Sequence, residues 1–216
     1  LLPQTVYYAA ASLQGWRRTG LRRNFIIPTG NLGNAVACLW ARTMGLPIGR
    51  VVLATNDNRS IPDFLASGRW SPGATVPTLA SAMDVGDPSN MERLRHLAPD
   101  VETLRAEVRA YSASDERIKR NIGWAWRHMG RAVCPHTATG IAAWRQLQQD
   151  DASARVEWVV VATAHPAKFE GIVEPIIGQA VPLPEHLQAL LRRPVRVEDL
   201  APDLSAFKRV LRERFG

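Results

Sequence analysis

Apolar residues along this chain switch between a helical and a strand period. From Leu2 to Trp16 they recur at helical spacing, with Pro3 suited to a first turn and Gly20 to an exit, which predicts a helix. Phe25 to Ile27 is an apolar run short enough for a buried strand. It stops at Pro28, and an alanine-rich helical pattern runs from Asn34 to Met44. Gly45 marks the exit of that helix, and Val51 to Thr55 reads as another strand. A strand, a glycine-punctuated loop, a helix and a strand make a βαβ unit, which predicts a parallel sheet and a right-handed crossover. Ligands of such sheets collect beyond the carboxyl ends of the strands, so Thr29 to Asn34 and Asn56 to Asn58 are expected on one rim.

Farther along, Ser60 to Gly73 predicts a short helix and turns leading into Ala74 to Asp84, and Pro88-Ser89-Asn90 opens a helix at Met91. Helical patterns follow at Val101 to Tyr111, Asp115 to Met129 and Thr137 to Gln149, the last behind the turn Cys134-Pro135-His136. The β-branched run Val156 to Thr163 predicts a buried strand with Thr163 at its carboxyl end, on the same rim as the glycine loop. Lys168 to Gly178, Pro184 to Arg192 and Leu204 to Phe215 read as helices. The predicted fold class is α/β: an open, largely parallel sheet flanked by helices, with residues 1–180 in one α/β domain and 181–216 a helical extension of it.

The loop Gly30-Asn31-Leu32-Gly33-Asn34 is where this pattern meets chemistry. Glycine lets the backbone approach a ligand, and the first amides of the following helix lack intrahelical partners where the macrodipole favours an anion. The spacing is neither the dinucleotide fingerprint nor a P-loop, so the motif alone points to phosphate without naming its owner. Thr29 and Asn34 serve equally well as turn and capping residues by type. His165, before a proline at a strand exit, reads as a turn-shaping residue, and Lys168 as a surface lysine at a helix start.

Composition narrows the field. Hydrophobic residues make up 46% of the 216, as in a globular chain, and the formal charge of +7 comes almost wholly from arginine spread through the predicted helices. No basic stripe interleaved with aromatics supports nucleic-acid binding, and no apolar stretch approaches the roughly 20 residues needed to cross a bilayer. Cys38 and Cys134 lie far apart without metal-ligand spacing, which fits reduced thiols in a cytoplasmic protein and no metal site.

The ordered string of Asn24-Phe25-Ile26-Ile27-Pro28-Thr29-Gly30-Asn31-Leu32-Gly33-Asn34, Gly45-Leu46-Pro47-Ile48, Ala54-Thr55-Asn56-Asp57-Asn58, Ser81-Ala82-Met83-Asp84-Val85, Pro88-Ser89-Asn90-Met91-Glu92-Arg93-Leu94 and Thr163-Ala164-His165-Pro166-Ala167-Lys168-Phe169 resembles threonine synthase. That family has the fold-type-II, tryptophan-synthase-β-like architecture of pyridoxal-phosphate enzymes and converts O-phospho-L-homoserine and water to L-threonine and phosphate. The resemblance implies pyridoxal 5'-phosphate as cofactor. Its phosphate would be held by the amides of Gly30, Asn31, Leu32, Gly33 and Asn34, and its ring nitrogen would lie against Thr163. Ser89, Asn90 and Arg93 are the expected donors to the substrate phosphate, and His136 is an expected substrate contact.

The family also implies a lysine in Schiff-base linkage to the cofactor. Only Lys119, Lys168 and Lys208 are present, and none sits in a segment resembling that motif. Leu1-Leu2-Pro3-Gln4-Thr5-Val6-Tyr7-Tyr8 looks like the inside of a family helix, so the expectation is a chain that lacks the family's N-terminal segment and is inactive alone. The resemblance leaves monomer and homodimer both open. The competing readings are another fold-type-II enzyme, such as a threonine dehydratase, and a non-catalytic scaffold that binds a phosphate ligand.

Overall fold

A computed structural model of the chain describes residues 1–98, 100–151, 156–195 and 197–216. It falls into two compact units, Leu1–Val181 and Pro182–Gly216. In the first, helix α1 (Thr5–Thr19) ends on Gly20 in the left-handed conformation, and strand β1 (Arg23–Pro28), helix α2 (Gly33–Thr43) and strand β2 (Ile48–Thr55) form the predicted βαβ unit. Helices α3 (Ser60–Ser67), α4 (Met91–Leu97) and α5 (Val101–Glu107) follow, then strand β3 (Val108–Ser112) and helices α6 (Asp115–Met129) and α7 (Pro135–Asp150). Strand β4 (Trp158–Val160), a 3-10 turn at Pro166–Phe169 and helix α8 (Glu170–Ile177) complete this unit. The second unit carries helices α9 (Glu185–Leu191) and α10 (Leu204–Phe215), the latter capped by the Asp203 carboxylate accepting from the Ala206 amide at 2.8 Å.

The sheet runs β3-β2-β1-β4 and every pairing is parallel. Two sequence expectations need correction here. The helical pattern from Val101 breaks at Glu107, and Val108–Ser112 extends as β3, because its backbone finds the open edge of β2 at Val51 to Thr55. The expected buried strand Val156 to Thr163 contracts to Trp158–Val160, and all three of its residues are half-buried. As an edge strand, β4 has a neighbour on one side only, so the apolar run that suggested burial serves another purpose.

Alternation along the strands splits the core. Phe25, Ile27, Val51 and Leu53 face α1, α2 and the helices after β2. Ile26, Val52 and Ala54 face Ala143 and Leu147 of α7. Helix α7 approaches closely at Gly140, where a Cβ would stand 2.9 Å from Val160 and 3.0 Å from Pro28. The far side of α7 packs with α6 and α8 through Ala138, Ala142, Ile118, Ile122 and Val173. Successive strands grow outward from β1 through β2 to β3, and the chain then returns to the other side of β1 as β4. The reversal leaves a crevice beyond the carboxyl ends of β1 and β4, the place where open α/β sheets accept ligands. No helix among the described residues is long and apolar enough to cross a membrane.

Candidate functional site

A cavity of about 830 Å³ occupies that crevice, within the range of small-ligand sites. Its floor is the loop after β1, Pro28 to Asn34, and one wall is the segment Val159 to Ala164. The half-buried β4 is thus explained: Trp158 and Val160 pack against α7, while Val159 and Val160 also line the cavity.

The glycine loop is shaped by its own side chains. The Thr29 hydroxyl donates to Asn34 Oδ1 at 2.7 Å, and Asn34 Nδ2 donates to the Pro28 carbonyl at 2.8 Å. The Thr29 amide donates to the Ala54 carbonyl at 2.9 Å, so the loop leaves directly from the ladder. Gly30 is required by its neighbour, since a Cβ there would lie 2.6 Å from the Met83 Cα. Leu32, fully buried, caps α2 in the left-handed conformation at φ 62°, a conformation uncommon outside glycine and costly for a bulky side chain. Sequence reading does not anticipate a leucine there. The outcome of this folding is electrostatic: the consecutive amides of Gly30 through Asn34 donate to no acceptor among the described residues, and the first such bond of the helix runs from Val36 to the Leu32 carbonyl. They gather at the positive end of α2 and line the cavity.

Thr163 lies three residues beyond β4, is exposed, and lines the same cavity. His136 lines it from the first turn of α7 and is 2% exposed. Its Nε2 accepts from the Ala82 amide at 3.0 Å, its ring packs on Phe169 with centroids 4.8 Å apart, and its Nδ1 has no partner. Burial holds its pKa below the usual histidine range; Asp84 opposes that shift and Lys168 adds to it. Lys168 itself, in the 3-10 turn, is exposed and belongs to the cavity wall, which the sequence reading did not foresee. Among the described residues no carboxylate lines the cavity, and its charged lining there is cationic.

The other expected residues gather elsewhere. Ser89 donates through both amide (2.7 Å) and hydroxyl (3.0 Å) to Asn31 Oδ1, and Asn90 Nδ2 donates to the Asn31 carbonyl at 2.7 Å. Arg93 reaches Asn90 Oδ1 at 2.9 Å. Ser89 and Asn90 pin Asn31 from outside, Arg93 holds Asn90, and none of the three is among the residues lining the cavity. Asn56 and Asn58 turn inward: Asn56 Nδ2 donates to Thr78 Oγ1 at 2.8 Å and Asp84 Oδ1 at 2.7 Å, and Asn58 Nδ2 to the Val76 carbonyl at 2.8 Å. His165 shapes its turn, with Nδ1 accepting from the Ala167 amide at 3.2 Å. Cys38 and Cys134 are buried free thiols, and burial pushes Cys38 up to about 12, far from reactive.

Residues 4–164 match the family described as Pyridoxal-phosphate dependent enzyme, and residues 137–211 match Threonine synthase, C-terminal. The chain is similar to threonine synthase from Serratia marcescens, 35% identical over 98% of this chain and 48% of that protein. It is also similar in structure to a PLP-bound threonine synthase from Brucella melitensis, with a TM-score of 0.85 and 28% identity over 98% of this chain and 50% of that one. For the threonine synthase from Escherichia coli the TM-score is 0.79 and the identity 33%, over 97% of this chain and 48% of that one. The chain spans about half the length of the curated relatives it matches.

Proposed function

The chain belongs to the pyridoxal-phosphate-dependent enzyme family, and from that membership we propose that it forms the cofactor-phosphate side of a threonine synthase site acting on O-phospho-L-homoserine. The observation that carries this reading is the row of amides, Gly30 through Asn34, at the start of α2, which among the described residues meet no acceptor and open to a cavity lined by no carboxylate. Such a row fits a phosphate dianion, because the amides need acceptors and the helix end favours negative charge. Pyridoxal phosphate, when bound, supplies the electron sink that lets protons leave the substrate's Cα and Cβ, phosphate leave Cγ, and water add at Cβ.

The chain's own groups hold and orient. The loop amides fix the phosphate end. The Thr163 hydroxyl, across the crevice on the β4 side, offers the ring nitrogen a neutral partner, which unlike a carboxylate does not keep that nitrogen protonated. Val159, Val160, Phe25 and Phe169 give the cavity apolar walls. Ser89 and Asn90 act on the phosphate end indirectly, by pinning Asn31, and Arg93 does so by holding Asn90. Lys168 lies in the cavity wall but in a segment unlike the family's Schiff-base motif, so we assign it an electrostatic role and place the linking lysine outside this chain. We assign residues 1–180 the role of cofactor domain and 181–216 that of its helical extension.

The test is titration of the chain with pyridoxal phosphate, followed by phosphorus NMR and by borohydride reduction. Saturable binding is expected, with no pyridoxyl group fixed on Lys168 and no phosphate release from O-phosphohomoserine by the chain alone. Binding indifferent to substitutions in the loop would overturn the phosphate assignment. A pyridoxyl group on Lys168, with turnover abolished in Lys168→Ala, would overturn the placement of the linking lysine.

A further inference from the structure

Among the described residues, the buried side-chain nitrogens and oxygens find partners with one exception, Nδ1 of His136. Native interiors pair such groups in the large majority, and an unmet one costs about 1–3 kcal/mol, so an exception in a cavity wall calls for an explanation. The ring's chemical state follows from its other nitrogen. The Ala82 amide donates to Nε2, which must therefore present a lone pair, and a neutral ring then carries its proton on Nδ1. Protonating both nitrogens would turn a hydrogen bond into two opposed donors.

The Ala82 amide is itself held in place. Ala82 sits in the 3-10 turn Ser81–Met83, and the next residue, Asp84, accepts from the Thr78 amide at 2.9 Å, from the Thr78 hydroxyl at 2.6 Å and from Asn56 at 2.7 Å. That turn also supports the glycine loop, through the close approach of Gly30 to the Met83 backbone. One clamped turn thereby sets both the phosphate loop and the tautomer of His136, and Ala82 and Met83 line the cavity between them.

We propose that His136 is a fixed neutral donor whose Nδ1–H reads an anionic oxygen of the ligand, distinct from the phosphate held by the Gly30–Asn34 amides. This rests on the reading of the loop as a phosphate site and adds a second anchoring point, suited to a carboxylate or a second phosphate. A ligand with two anionic ends would be recognised at both. An imidazole confined to one tautomer discriminates as a donor only, so it would reject a group that needs an acceptor at that position.

Nitrogen-15 NMR of the full chain tests both halves. In the ligand-free protein, His136 should show a protonated Nδ1 and an unprotonated Nε2, against a histidine peptide as reference. Inorganic phosphate, pyridoxal phosphate and O-phosphohomoserine are then added separately. The loop amides should move with either of the first two, and the His136 Nδ1–H should move only when a second anionic group is supplied, with O-phosphohomoserine added to the pyridoxal-phosphate-bound chain. His136→Phe, which keeps a ring against Phe169 but removes the donor, should weaken that second binding about tenfold while the loop amides still respond. A proton on Nε2 overturns the tautomer. Loop amides that respond while His136 stays silent to every ligand overturn the donor role alone, whereas silence in both overturns the phosphate reading as well.

Discussion

Two asparagine-bearing loops leave neighbouring parallel strands at the same rim and end in opposite conditions. After β1, Asn31 and Asn34 use their side chains to shape and pin the loop, and the backbone amides from Gly30 to Asn34 remain unpaired. After β2, Asn56 and Asn58 spend their side chains on the segment from Val76 to Asp84, with Asn56 Oδ1 also accepting from the Asn58 amide at 3.0 Å. Residue type and position do not separate a binding loop from a scaffold loop here; hydrogen-bond accounting does. The second loop still serves the first, because the segment it clamps carries the turn on which Gly30 and His136 both depend.

The sharpest way to break this comparison is Gly30→Ala. The added Cβ would collide with the Met83 backbone, which cannot yield as a flexible side-chain end could. We expect a loss of about 3 kcal/mol in urea unfolding, at the upper end of overpacking costs, together with loss of pyridoxal phosphate binding. A stable Gly30→Ala protein that binds normally would mean the loop does not pack as described. Next in size is Asn56→Ala, which strands the buried Asn58 amide and unties Thr78 and Asp84. About 2 kcal/mol of stability should be lost, with a smaller loss of affinity for pyridoxal phosphate. Equal losses of affinity in the two variants would erase the distinction between binding loop and scaffold loop.

How much of this was readable in the sequence follows from how local each feature is. The βαβ unit and its loop are encoded within about thirty consecutive residues by apolar period and glycine placement, and both appear where expected. Strand β3 is not, because Val108–Ser112 follows a helix without a turn residue and becomes a strand only by finding the edge of β2. The left-handed Leu32 escapes because a non-glycine cap of that kind leaves no compositional mark. His136 could be nominated from its segment. Its chemical state could not, since the amide that fixes it lies 54 residues away at Ala82. Ser89, Asn90 and Arg93 carry the right chemistry for a phosphate, yet in the fold Ser89 and Asn90 spend it on Asn31 and Arg93 on Asn90.

A gentler probe follows stability across pH. His136 is buried neutral, with burial holding its pKa down, Asp84 opposing that shift and Lys168 adding to it. Its folded pKa lies below the unfolded value of about 6.5, so the unfolded chain takes up the proton first. The stability contributed by the neutral ring is complete above about pH 6.5 and is lost as pH falls through the folded pKa. Urea midpoints at pH 8 and pH 5 should diverge more for the chain than for His136→Asn, which has nothing to titrate at that position. Equal divergence would place the pH sensitivity elsewhere and leave the His136 ring free to take a second proton.

The smallest effect on stability is expected at Thr163, and it separates the two sides of the cavity most cleanly. Thr163 is exposed and lies past the end of an edge strand, so Thr163→Val should change unfolding free energy by less than about 0.5 kcal/mol, as for ordinary surface positions. If its hydroxyl partners the cofactor ring, affinity for pyridoxal phosphate should fall about fivefold, the value of one neutral hydrogen bond of about 1 kcal/mol. Thr163→Ser should restore that affinity, because it returns the hydroxyl without the methyl. The contrast with Gly30→Ala is the point of the measurement: on the α2 side, binding and folding share the same contacts and fail together, whereas on the β4 side they come apart. An affinity unchanged in Thr163→Val would remove the hydroxyl from the site and leave the phosphate loop as the anchor for the cofactor.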